Sequence, residues 1–229
     1  MLMRTPTRWA RPKLVRPPGF IVPCRPTLAA NVPTGDGWLH ELKHDGFRII
    51  AHKDGLRVRL WSRNGRDRSG DFVAIADAVR ALPASRMVLD GEAVAHCLEG
   101  LPHFNRLLSG DGQASACLYA FDLLWLEAQD LRGVELIGRR RMLHKALKKA
   151  GPALRFSEHL EGDEGEAMFR HACAMNLEGI VSKRVASRYK SGSCVAWAKI
   201  QSRFPARTCQ DGRSGKGLPG NRPIPRSRL

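Results

Sequence analysis

The apolar residues of this chain come in short runs cut by tight-turn dipeptides, and that texture limits the fold more than any other feature. Over 37–61 the runs are Trp38, Leu39 and Leu42, then Phe47, Ile49 and Ile50, then Val58, Leu60 and Trp61, with breaks at Asp45-Gly46 and Asp54-Gly55. Runs so brief suit antiparallel strands joined by tight turns better than helices. Asp90-Gly91 reads in the same way, as a hairpin turn between strands over 87–90 and 93–97, and a further strand is expected over 118–124. Helical spacing first appears at Phe72, Ile75, Val79 and Leu82, with Ser69 or Asp71 as a cap and Pro83 as the stop. Two more helices are expected over 138–150 and 164–175, before apolar strands over 179–181 and 195–200. The pattern is α+β, antiparallel sheets flanked by helices, without the strict βαβ alternation of a Rossmann sheet.

Charge is unevenly spread. The chain holds 38 Lys and Arg against 22 Asp and Glu in 229 residues, a formal charge of +16. Residues 1–28 carry six cations, six prolines and no acid, while 183–229 carry twelve cations with Asp211 as the only acid. The middle is close to neutral. The expected organisation is a basic, Pro-rich extended arm over 1–19, one folded domain over 20–201, and a basic tail over 202–229 too poor in apolar residues to pack. Flanks of this kind suit a polyanionic partner, with nucleic acid as the first candidate. No apolar run approaches the roughly 18 residues of a membrane helix, so no membrane partner is expected and the chain reads as soluble and cytoplasmic. Six cysteines lie far apart without metal-type spacing and are expected as buried thiols.

Chemistry is suggested first by Lys43-His44-Asp45-Gly46-Phe47-Arg48, which sets a lysine at the end of a strand with an arginine beyond the turn. Shielding and neighbouring cations are expected to favour its neutral, nucleophilic form. The segment is a weak signal alone. It is followed in order by Ser62-Arg63-Asn64-Gly65, Leu89-Asp90-Gly91-Glu92, Leu118-Tyr119-Ala120-Phe121-Asp122-Leu123-Leu124, Glu178-Gly179-Ile180-Val181-Ser182-Lys183-Arg184 and Trp197-Ala198-Lys199-Ile200-Gln201. This series resembles the ordered motifs of covalent nucleotidyltransferases, specifically the adenylation domain of ATP-dependent DNA ligases of the bacterial end-joining type, over about 20–201.

The resemblance implies the ATP-grasp-like nucleotidyltransferase fold of DNA ligases and a set of roles. Lys43 would be the catalytic nucleophile that takes AMP from ATP. Glu41 would accept from the adenine amino group, Arg48 and Glu92 would hold the ribose hydroxyls, and Phe121 would stack on the base. Arg63 and Lys199 would meet the phosphates, Lys183 would join the nucleotide site, and Glu178, with Glu92, would bind magnesium or manganese. The implied activity is sealing of nicked double-stranded DNA in repair or end joining by a nucleoid-associated monomer, with an end-joining protein as a further partner. Two departures stand out. The family has a second lysine at the position of Gln201, and the 28 residues after it are too few for the oligonucleotide-binding barrel that usually follows, so the chain is expected to lack that domain. The alternatives are a catalytically weak nick-binding protein, or a relative that joins RNA ends or transfers GMP. Because the expected affinity for DNA is phosphate contact by exposed cations, binding should weaken by orders of magnitude between about 50 and 200 mM salt if six or more phosphates are engaged. Fluorescence anisotropy with a labelled nicked duplex checks this, and a flat salt response excludes the basic flanks from binding.

Overall fold

The computed structural model describes residues 17–98 and 100–202, so most of the expected basic arm and nearly all of the tail lie outside the described residues. The elements run β1 (Cys24–Leu28), β2 (Trp38–Leu42), β3 (Phe47–Asp54), β4 (Arg57–Ser62), α1 (Val73–Ala81), β5 (Arg86–Val94), the short α2 (Gly110–Ala114) and β6 (Cys117–Leu126). They continue with β7 (Gln129–Asp130), α3 (Leu136–Leu147), β8 (Leu154–Phe156), β9 (Leu160–Glu161), α4 (Gly165–Ala174), β10 (Gly179–Arg184) and β11 (Gly192–Gln201). Two sheets result. One has the order β1-β11-β10-β2-β9, and the other β4-β3-β5-β6-β7 with β8 added on β6. Pairing is antiparallel as expected, except that β1 lies parallel to β11 and β8 parallel to β6.

The sheets pack face to face, and helices cover their outer sides. Ile21, Leu39, Ile50, Val88, Phe121, Leu124 and Trp197 belong to the apolar layer between the sheets. Behind the second sheet, α1 and α3 bury Ile75, Val79, Leu143 and Leu147 against Ile49, Leu60 and Leu118. On the far side of the first sheet, Ala172 of α4 packs on Ile180 and Ile200. Sheets covered on both faces need not alternate apolar with polar residues, which is why Trp38, Leu39, His40 and Glu41 of β2 are all buried.

The three helices fall where helical spacing put them, within three residues at each end. Three expectations are corrected. Ser69 and Asp71 do not cap α1, whose N-cap is Phe72 without a side-chain bond; Ser69 instead accepts from the Leu60 amide, and Asp71 pairs with Arg68. Asp90-Gly91 is no hairpin turn but the middle of β5, where the register with β6 shifts. Glycine is needed there because a Cβ would lie 2.7 Å from the Tyr119 carbonyl oxygen. Asp45-Gly46 is no hairpin either, since β2 and β3 belong to different sheets and 43–46 crosses between them. The Lys43 amide still donates to the Gly179 carbonyl of the first sheet, at 2.9 Å. At Gly46 a Cβ would lie 2.1 Å from the Ala93 carbonyl oxygen of the second, so the crossover closes only on glycine. Asp54-Gly55 is the expected turn of the β3–β4 hairpin, with Gly55 at φ 63°.

One ion pair anchors α3 to the second sheet. Arg139 and Asp122 are fully buried, with Nε and Nη2 of the arginine donating to the two carboxylate oxygens at 2.7 and 2.8 Å. Removing one partner strands the other charge in the interior, so Asp122→Ala should cost about 3–5 kcal/mol, read as a lowered denaturant midpoint with an unchanged slope.

Candidate active site

Two strand registers face each other across the inter-sheet space. In the first sheet Glu41, Val181 and Lys199 form one row across β2, β10 and β11, and Leu39, Lys183 and Trp197 form the next. In the second sheet Arg48, Glu92 and Tyr119 form a row across β3, β5 and β6, and Ile50, Asp90 and Asp122 form the next. The rows open into a cleft of about 510 Å³, within the roughly 300–1,000 Å³ usual for small-molecule sites. Glu41, Lys43, Arg48, Arg63, Glu92, Phe121, Lys183 and Lys199, separated by as many as 158 positions in the chain, all line it.

Glu178 is joined to this set through Lys43. The Lys43 ammonium forms an ion pair with the Glu178 carboxylate at the crossover, the two side chains being 21% and 30% exposed. The amine is therefore neither sealed off nor in bulk water. Beside the neighbouring cations that were expected, the amine has a carboxylate as its ion-pair partner.

Glu41 and Lys183 occupy the buried end. Burial by itself would raise the Glu41 carboxyl, but Arg140 and Lys183 outweigh it and hold the group below its ordinary value. Oε1 accepts from Arg140 Nη1 and Lys183 Nζ, both at 2.7 Å, and Oε2 from the Ser157 hydroxyl at 3.2 Å. Lys183 is 2% exposed, which removes it from the basic flank of 183–229. Burial pushes its ammonium below the ordinary value, and its Nζ sits 4.3 Å from the Phe121 ring and 4.2 Å from the Trp197 ring.

Arg48 is held rigidly. Its Nε and Nη2 bind Asp90 at 2.5 and 2.7 Å, its guanidinium lies 4.4 Å over Phe121, and Tyr189 donates to the same aspartate at 2.7 Å. Glu92, opposite Arg48, is pushed up to about 7, chiefly by burial; Asp90 and Glu178 add to the rise, while Arg48 and Lys43 offset part of it. Toward the open side, Arg25, Arg63 and Lys199 line the cleft with no ion-pair partner among the described residues. Arg63 is exposed and Lys199 partly buried. A cleft with an acid-lined apolar end, a ring platform and unpaired cations at its mouth suits a molecule with an amino-bearing aromatic base and an anionic chain.

Residues 26–201 match the model of the ATP dependent DNA ligase domain family. The chain belongs to that family. It is 36% identical over 188 residues to the multifunctional non-homologous end joining protein LigD of Pseudomonas aeruginosa, covering 80% of this chain and 22% of that protein. The multifunctional non-homologous end joining DNA repair protein LigD of Mycobacterium tuberculosis is 34% identical over 165 residues, 71% of this chain and 21% of that one. The chain thus spans about a fifth of the length of these curated relatives. The crystal structure of the ligase domain from M. tuberculosis LigD superposes with a TM-score of 0.70 at 31% identity, covering 79% of this chain and 60% of that one. A mycobacterial DNA ligase D complexed with ATP gives 0.68 at the same identity and coverage.

Sequence reasoning missed Arg140, Asp90 and Tyr189. Arg139 and Arg140 sit in a run of three arginines that looks like a solvated face, yet they are 0% and 1% exposed. Helical spacing carried the signal, since Leu136, Arg140, Leu143 and Leu147 share one face of α3. Glu92 also generates a prediction. Between pH 4.5, the ordinary carboxyl value, and about 7 the unfolded chain has released this proton while the folded chain keeps it, so stability in chelator falls as pH rises through that window. Glu92→Gln should flatten that part of the profile, measured as denaturant midpoints at stepped pH.

Proposed function

We propose that the chain is the adenylyl-transferring part of an ATP-dependent DNA ligase that seals nicks in duplex DNA during end joining. The observation that carries this reading is the convergence of Lys43, Glu92, Phe121 and the unpaired cations on one nucleotide-sized cleft, with Glu178 ion-paired to Lys43. Phe121 stacks on adenine, Glu41 accepts from its amino group, and Arg48 with Glu92 holds the ribose as donor and acceptor. Arg63 and Lys199 then face the phosphates. The Lys43 ammonium, which is partly open to solvent, must hand its proton to water and leave Glu178 before its lone pair attacks the α-phosphorus. A nitrogen–phosphorus bond forms, the bond to the bridging oxygen of pyrophosphate breaks, and Lys199 stabilises the charge that grows on the oxygens.

The AMP passes to the 5′-phosphate of a nick, and the 3′-hydroxyl attacks that activated phosphate, sealing the strand and releasing AMP. Among the described residues no three His, Cys, Asp or Glu side chains form a metal cage. Glu178 and Glu92 nonetheless fit a hard divalent ion, because the Glu178 charge reaches Glu92 and both would offer carboxylate oxygens, the donors such an ion prefers. When bound, magnesium or manganese would neutralise phosphate charge beside the lysine.

The test is covalent labelling. Incubated with magnesium and α-labelled ATP, the protein should take up label that Lys43→Ala abolishes, and should take little from GTP; it should then seal a nicked DNA duplex. Retained nick binding without any label favours a binding protein instead, and label from GTP favours a GMP-transferring relative.

A further inference from the structure

The Glu41 carboxylate is held by donors from three separate places in the chain, and one of them also reaches the base platform. Arg140, 1% exposed, donates through Nη1 to Glu41 Oε1 at 2.7 Å and to the Phe121 carbonyl at 2.9 Å. Through Nη2 it donates to the Ser157 carbonyl at 2.5 Å and meets His159 Nδ1 at 3.0 Å. Its guanidinium lies 4.6 Å over the Phe156 ring. One planar fork therefore fixes the carboxylate, the backbone of the stacking residue and the wall after β8 relative to one another.

We propose that Arg140 is a positioning residue for purine selection: it holds Glu41 so that the carboxylate accepts from the 6-amino group of adenine and repels a 6-oxo purine. The inference rests on the adenylyl-transfer reading above. A carboxylate has about four acceptor positions, and three are taken by Arg140, Lys183 and Ser157. Oε2, with a single donor, keeps one position, and Glu41 lines the cleft. An amino group donates to that position. A 6-oxo group sets a second acceptor against a buried, ionised carboxylate, leaving both unpaired. Without Arg140 the carboxylate loses one of its two cations and one edge of its restraint, and burial then favours the protonated acid, which can donate to a 6-oxo group. Lysine at 140 keeps the charge but cannot make the forked contacts.

The experiment compares covalent labelling of the full chain by α-labelled ATP and α-labelled inosine triphosphate, which differ from each other in their purine 6-substituent. Wild-type protein should strongly prefer ATP. In Arg140→Met the ratio of the two efficiencies should fall by about tenfold or more, mainly through a higher KM for ATP, with Arg140→Lys in between. Circular dichroism checks folding, and if Arg140→Met does not fold, the lowered ratio must appear in Arg140→Lys. A folded variant that loses ATP and inosine triphosphate labelling in equal proportion overturns the proposal and leaves Arg140 a purely structural role. Wild-type protein that takes label from neither nucleotide removes the adenylyl-transfer reading itself, and the inference with it.

Discussion

A carboxylate buried where two sheets and a helix meet is the constraint on which the site depends. Taking Glu41 out of water is costly unless cations and donors surround it, and its partners come from α3, from β10 and from the segment after β8. Each must arrive in register. A slip of one residue in β10 would turn Lys183 toward α4 and bring Ser182, whose hydroxyl bonds the buried His40 imidazole at 2.8 Å, into the cleft. A turn of α3 would carry Arg140 out and bring an exposed neighbour such as Arg141 in. The charge cluster thus specifies how the layers pack as much as it shapes the cleft.

The same economy governs the crossover. Lys43 leaves the first sheet tied to Gly179, and Phe47 enters the second paired with Ala93, so the four residues from Lys43 to Gly46 span the gap. The amine and the Glu178 carboxylate are held together because Glu178 directly precedes Gly179, the residue that receives the Lys43 amide bond. Main-chain pairing therefore brings the Lys43 amine and the Glu178 carboxylate together before any ligand is considered.

Much of this was legible in the sequence. The α+β class and the three helices were readable because helical spacing is local, and the residues that line the cleft could be singled out because several segments in a fixed order carry far more information than any one of them. Other features were not. Asp-Gly has two physical causes in this chain: a left-handed turn at Gly55, and a close strand approach at Gly91, beside an aspartate that serves Arg48 and Tyr189. No local pattern distinguishes them. The parallel pairings of β1 with β11 and β8 with β6 join segments far apart in the chain, and buried arginines resemble solvated ones until the face of the helix is considered.

Gln201 can now be weighed by position. It pairs with Gly179 at the end of β11 and is exposed, and the next residue, Ser202, donates its amide to the Glu178 carbonyl. A neutral amide here donates hydrogen bonds but brings no charge. Through its pairing with Gly179 it stands beside the Lys43–Glu178 pair, while Glu41, Arg140 and Lys183 meet at the buried end of the cleft. In the adenylyl-transfer reading proposed above, a missing cation at this place bears on phosphate chemistry and not on base recognition. In that reading, electrostatic stabilisation near the reacting phosphorus falls to Lys199 and Arg63, which line the cleft and are committed to no ion pair among the described residues.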